Sequence, residues 1–276
     1  MIEKSAVDND LRGCLPLDRF EVCLNGAAYA PHRHDNYTIG MTLEGVQCFD
    51  YRGEARHACP GDIFVLHPDE LHDGRAGTDT GFRYRAFHLQ PALVQGVLKG
   101  RPLPYIAGGL SGDPVLRRAI TRLLSDTGCS PDPLEIESNL VDLVDALRMA
   151  SGASERPRRH DYGAVKTACT FIEAHIEEGV ALEQLAAACG ADRYELSRAF
   201  RALLGVSPYG YLVHRRLDRA CRQLLLGEPS ARIAVDCGFS DQSHLIRHFK
   251  KAYGLTPRAW LTMRDGRNSV SRTIVQ

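Results

Sequence analysis

The chain has 276 residues, more than a single hydrophobic core needs, so two domains are expected. Its 44% apolar and 25% charged content excludes a disordered or fibrous protein, and no run reaches the ~18 apolar residues that a membrane span requires. The net charge is zero, but residues 1–155 carry 15 Lys/Arg against 22 Asp/Glu while residues 156–276 carry 19 against 12, so the basic back half is expected to meet a polyanion.

The opening stretch MIEKSAVDNDLRG lacks the apolar core of a secretion signal, so a cytoplasmic location is expected. Its polar character, continuing to Phe20, suggests a mobile arm. Nine cysteines, an odd number without a CxxC pair, fit reduced thiols and not a disulfide framework. Residues 20–90 hold short alternating or apolar runs, among them YTIGMTLEG (37–45) and DIFVLHP (62–68), with turn signals at Gly53 and Pro60-Gly61. Such a pattern predicts an all-β unit. Asp113-Pro114 has the form of a helix start, and Leu116, Ile120, Leu123 and Leu124 share one face of the helix it would begin. A second helix carries Ile136, Leu140, Leu143 and Leu147. That stripe is suited either to packing on its own β-unit or to pairing with a second copy.

Within the β-unit, Gly26, the His32-Arg33-His34 run, Gly45 and the segment PGDIFVLHPDELH (60–72) resemble the two motifs of the cupins, which are small β-barrels. In metal-binding cupins two histidines, a glutamate and a later histidine hold the ion. Here Thr38 or Ile39 stands where the glutamate is expected. His32, His34 and His72 remain as a possible three-imidazole set, because imidazole suits several transition metals. A small-molecule effector in the barrel mouth is the preferred reading, with His34, Tyr37, Thr42 and His72 as candidate contacts and with no cofactor or catalytic residue expected. His57, His67 and His88 read as ordinary strand or loop histidines.

Residues 151–160 (SGASERPRRH) read as a linker between a front domain, 1–150, and a helical domain, 161–264, with a polar tail at 265–276. The helical domain writes one phrase twice. LAAACGADRYELSRAFRALLGVSPYGYL begins at Leu185, and IAVDCGFSDQSHLIRHFKKAYGLTPRAWL begins at Ile233. In each, a small-residue helix ends at a Cys-Gly pair, Cys189-Gly190 or Cys237-Gly238, where glycine permits positive φ. A capping residue follows, Asp192 in one copy and Ser240 or Asp241 in the other. Leu196 and Phe200, or Leu245 and Phe249, then bury one face of a second helix, which ends at Gly205 or Gly254. The unit is helix, tight turn, helix, and its second helix normally enters the major groove of DNA. Residues 209–226 between the copies, rich in Leu and Arg, predict one long helix that holds two recognition helices for successive major grooves.

The stretch GFSDQSHLIRHFKKAYGLTPRAWL resembles the signature of AraC/XylS-type transcription regulators, and the resemblance extends over 161–264. It implies an α+β protein of two domains: an N-terminal cupin-like β-barrel followed by helices, then an all-α domain with two helix-turn-helix motifs. It implies a sequence-specific regulator, expected to be an activator, that works as a homodimer with double-stranded DNA, an effector and RNA polymerase as partners. By position, Tyr194, Ser197 and Arg198 of the first copy and Gln242, Ser243, His244 and Arg247 of the second would face bases. Arg pairs bidentately with guanine and Gln with adenine. Arg193, Arg201, Lys250 and Lys251 are better placed for phosphate. The alternative reading of the whole chain is a metal-dependent cupin enzyme with a helical appendage.

Overall fold

The computed structural model describes residues 2–5, 17–24, 29–125, 133–152 and 160–262. The expected arm (apart from 2–5 and 17–19), Gly26, the linker core 153–159 and the tail 265–276 lie outside the described residues. The strands are β1 (Ile2–Ser5), β2 (Asp18–Leu24), β3 (Tyr29–His32), β4 (Tyr37–Gly45), β5 (Gln47–Tyr51), β6 (Glu54–Ala58), β7 (Ile63–Leu66), β8 (His72–Ala76), β9 (Phe82–Leu89) and β10 (Leu110–Ser111). They form two sheets, ordered β1-β2-β9-β4-β7-β10 and β3-β8-β5-β6. Every pairing described is antiparallel. Gly53 and Gly61 take φ of 82° and 89° at the predicted turns.

Strand alternation gives the larger sheet two different faces. Phe20, Val22, Phe64, Leu66, Tyr84 and Ala86 point into the space between the sheets and form one core with Phe49 and Tyr51 of the smaller sheet. Tyr37, Ile39, Ile63, Val65, Phe87 and Leu89 point the other way. They are covered by three helices: α1 (Pro91–Leu98), α2 (Pro114–Leu124) and α3 (Pro133–Ala150). The Asp113 carboxylate accepts from the amides of Val115 and Leu116, capping α2 as its sequence predicts. The stripe on α3 is settled by burial. Ile136, Leu140, Leu143 and Leu147 are all buried, and the last three join the core under the larger sheet. The alternative of a self-pairing stripe is therefore corrected, because these side chains are consumed within the chain.

The back half contains α4 (Tyr162–Ala174), α5 (Leu182–Cys189), α6 (Arg193–Leu204), α7 (Pro208–Leu225), α8 (Ser230–Asp236) and α9 (Gln242–Tyr253). Two cores form here, one per motif. Val165, Leu185, Leu196 and Phe200 lie in the first; Leu217, Ile233, Leu245 and Phe249 lie in the second. Helix α7 serves both, giving Leu212 to the first core and Val213, Leu217, Ala220 and Leu224 to the second. At ~1.5 Å per residue it is a strut of about 27 Å. Ser207 caps it through the Gly210 amide, with Pro208 at its first position.

Candidate nucleic-acid interface and effector cavity

The two motifs close locally as their residue types dictate. Asp192 accepts from the amides of Tyr194 and Glu195, and Asp241 accepts from that of His244. Of the two capping candidates in the second copy, Asp241 is the cap of α9, while Ser240 bonds Asp241 and His244 with its hydroxyl. Gly190 and Gly238 make the turns at φ of 61° and 77°. These caps set the first turns of α6 and α9 outward. Arg193, Tyr194, Arg198 and Arg201 are exposed on α6, as are Gln242, Ser243, Arg247, Lys250 and Lys251 on α9; Ser197 and His244 are half-buried. Among the described residues, Arg198 pairs with Glu195 at 4.0 Å, both side chains well exposed, a weak contact that DNA can displace. Arg193 is more engaged, donating to Glu183 at 2.7 Å and stacking over the Tyr194 ring. The His244 ring bonds Ser240 on one side and His248, at 2.9 Å, on the other.

Not all of the basic excess faces outward. Arg215 pairs with Asp35 of the front domain and with Asp218 at 3.0 Å; Arg216 donates to the Ile176 carbonyl; Arg219 pairs with Glu177 at 2.7 Å. Burial works against the Arg215 charge, but the Asp35 and Asp218 carboxylates outweigh it and raise its pKa.

Asp35 marks a second site, where the halves meet. A cavity of about 480 Å³ opens between the barrel mouth and the helical domain. His32, His34, Thr38, Gln47, His72 and His88 line it from the front. His214, Asp218, Arg222, Tyr253 and Trp260 line it from the back. Of the four candidate effector contacts, the structure brings His34 and His72 into this lining. Tyr37 lies on the opposite face of β4, its hydroxyl donating to the Pro104 carbonyl at 2.7 Å. Thr42 is buried one layer away, its hydroxyl toward Gln47 at 3.4 Å. His88 shares the inward parity of Phe82, Tyr84 and Ala86, a signal present in FRYRAFHL. The contributions of α7 had no local signal, since they depend on how the halves dock.

Three histidines draw close at the mouth. One ring nitrogen from each of His32, His34 and His72 lies within 4.8 Å of the other two. Each Nδ1 lies on a backbone carbonyl: His32 on Ala30 at 2.9 Å, His34 on Asn36 at 2.7 Å, His72 on Glu70 at 2.9 Å. A carbonyl can only accept, so each Nδ1 carries a proton, and in the neutral form of the ring the lone pair is left on Nε2. Burial, followed by the neighbouring imidazoles His72, His88 and His32, holds the His34 pKa well below the usual range; burial and then His32 bring His72 to about 3. Thr38, at the position of the missing carboxylate, bonds His34 Nε2 at 3.1 Å.

The front domain also clasps both recognition helices at their carboxyl ends. The Leu103 amide donates to the Ala202 carbonyl on α6, and the Arg33 amide donates to the Lys251 carbonyl on α9, each at 3.0 Å.

A β-domain whose mouth opens on a cavity, joined to paired helix-turn-helix motifs, is the architecture of a transcription regulator with a ligand-binding domain and a DNA-binding domain. Residues 15–144 match the AraC-like ligand binding domain and residues 185–263 match a helix-turn-helix domain. A putative AraC-like transcription regulator of Streptomyces antibioticus is 33% identical over 237 residues, covering 81% of this chain and 76% of its own. The uncharacterized HTH-type transcriptional regulator YbfI of Bacillus subtilis is 28% identical over 222 residues, covering 78% and 80%. The fold is similar to that of ToxT of Vibrio cholerae, with a TM-score of 0.65 at 11% identity over 90% of this chain and 98% of that one. ToxT has also been solved with an unsaturated fatty acid bound (TM-score 0.61, 13% identity, 92% of this chain and 98% of that one). The chain belongs to the AraC family of transcriptional regulators.

Proposed function

We propose that this regulator reads duplex DNA with the exposed faces of the first two turns of α6 and α9 and is switched by a small organic molecule in the cavity between its halves. The observation that carries this reading is the cavity's two-sided wall, in which His34, His72 and His88 of the barrel face Asp218, Arg222 and Tyr253 of the DNA-binding half. A molecule seated there touches both halves, so its affinity depends on their arrangement, which is the requirement for a ligand to shift a conformational equilibrium. The fatty acid in ToxT supports effector binding by this fold, without indicating the same ligand.

In the same reading, Arg198 and Gln242 contact bases and Lys250 and Lys251 contact phosphate. The units are a front domain at 1–150 and a DNA-binding domain at 161–264. The output is activation through RNA polymerase by a cytoplasmic homodimer, which rests on the family resemblance. Footprinting upstream of the protein's own and neighbouring genes, repeated across a metabolite panel, tests the proposal. A protected site whose affinity changes with one metabolite is expected. Protection that no metabolite alters would remove the effector role, and no protection at low salt would remove the DNA role.

A further inference from the structure

We infer that the cavity between the halves takes a primary amine, a molecule whose amino group is held by His34 and His72 and whose flat apolar body lies on the floor of the barrel. His72 carries this furthest. Its residue is 4% exposed and its Nδ1–H is spent on the Glu70 carbonyl at 2.9 Å. Its Nε2 has no hydrogen-bond partner among the described residues, and it is open to the cavity instead of sealed in the wall. A polar atom held inside a protein without a partner is costly, so the site needs a hydrogen-bond donor brought by a ligand. Burial keeps both the His34 and the His72 ring neutral, which makes each Nε2 an acceptor.

The spacing of the two acceptors selects the head group. One ring nitrogen of His34 lies within 4.8 Å of one of His72, and the rings stand edge to face. A tetrahedral nitrogen that donates two bonds of ~3.0 Å separates its acceptors by about 4.9 Å, so one amino group reaches both without moving either ring. A hydroxyl has a single hydrogen and serves one of them, and a carboxylate has none and would meet two lone pairs. The Thr38 hydroxyl now holds His34 Nε2 at 3.1 Å, and its hydrogen can rotate away to admit the amine. Across the mouth, Asp218 pairs with Arg215 through Oδ2 at 3.0 Å and keeps Oδ1 without a bond among the described residues, a counter-charge for an ammonium. Arg222, one turn further along α7, also lines the cavity, but it is exposed at the rim, where solvent screens its charge.

The floor selects the body. Phe20, Phe64, Leu66, Phe82 and Tyr84 of the larger sheet line the cavity from inside the barrel. Phe82 stacks on Tyr84 at 5.8 Å, and Phe64 meets the same ring edge-on at 5.5 Å. Such a surface suits a flat apolar group. A polyol would lay hydroxyls against these rings without partners. A regulatory role for the amine rests on the function proposed above, whereas its binding does not.

The test is calorimetric titration of the full chain, with EDTA present so that no metal ion mediates. The probes are tryptamine, tryptophol and indole-3-propionate, which share one body and differ in carrying an amine, an alcohol or a carboxylate. The series 2-phenylethylamine, 2-phenylethanol and 3-phenylpropionate repeats the comparison on a smaller ring. At least one amine is expected to bind, at least about tenfold more tightly than its own alcohol and acid, the factor that one charge-assisted hydrogen bond supplies. His72→Phe keeps a ring and removes the acceptor, and Asp218→Asn removes the counter-charge. Each should lower the ratio of amine to alcohol affinity by about threefold or more, a readout that a general loosening of the cavity would not move. Circular dichroism checks folding; if the buried His72 variant fails to fold, the Asp218 variant decides. No amine binding up to millimolar concentration, an alcohol or acid that binds as tightly as its amine, or an unchanged ratio in every folded variant would overturn the proposal. Amine binding that leaves DNA affinity unchanged would leave this site standing and remove the effector role, whereas a preferred acid that shifts DNA affinity would do the reverse.

Discussion

Arg198, in the second turn of α6, and Gln242, at the start of α9, are both exposed and free of strong intramolecular partners among the bonds described for them. Replacing either by Ala is expected to weaken specific binding by ~1–3 kcal/mol and to relax the preference at one base pair. Lys250→Ala should weaken all sequences alike and flatten the salt dependence. Titrations on specific and random duplexes at several salt concentrations separate the two behaviours. Inside the barrel, His67 is a second residue with a defined consequence. The Ile106 amide donates to its Nε2 at 2.9 Å, so its Nδ1 carries the proton toward Tyr51. Burial, then Arg52, brings its pKa to about 3. Between pH ~6.5 and 3 the unfolded chain takes up a proton that the folded chain refuses, so stability from this residue is full above ~6.5 and falls as the pH drops. Urea midpoints for His67→Gln should fall less steeply with acid than those of the native protein. At this scale the sequence is legible where the backbone is regular. Parity along β4 separates Tyr37 from Thr38, and parity along β9 turns His88 inward, whereas residue type alone groups Tyr37 with the cavity and leaves His88 out.

The matching glycines of the two motifs are equivalent in sequence and unequal in surroundings. A Cβ on Gly190 meets nothing within 4 Å, so Gly190→Ala should cost only the left-handed backbone penalty of ~1–2 kcal/mol. At Gly238 the same Cβ would stand 2.7 Å from the Glu177 carbonyl and 2.8 Å from Arg216, so Gly238→Ala should destabilise by clearly more. Denaturant unfolding of the two variants gives the comparison. The caps, turns and helix starts of these motifs are readable because they are local contacts of one to four residues. The α3 stripe is readable as a stripe but not as to its partner, since apolar spacing is the same whether a helix buries against its own barrel or another subunit.

Across the molecule, the Asp35–Arg215 pair joins the halves, with side-chain exposures of 10% and 17%, and His214 adds a 3.7 Å contact to the same carboxylate. Asp35→Asn removes the charge that Arg215 faces across the boundary and is expected to weaken docking by about 1–3 kcal/mol. Calorimetry should then resolve two transitions in place of one, and the effector should lose leverage over DNA affinity; an unsplit transition with full effector response would show that the pair does not couple the halves. None of this boundary is legible in the sequence, because a helix full of arginines looks equally suited to DNA whether or not its charges are spoken for.

The double grip on α6 and α9 has one more outcome. With the barrel holding an end of each probe and a stiff helix of about 27 Å between them, the proposed DNA contacts are expected to depend on the rotational phase of the duplex as well as on its letters. Two correct half-sites set out of step around the double helix, by a few inserted base pairs, present one face too many for a rigid gauge to touch.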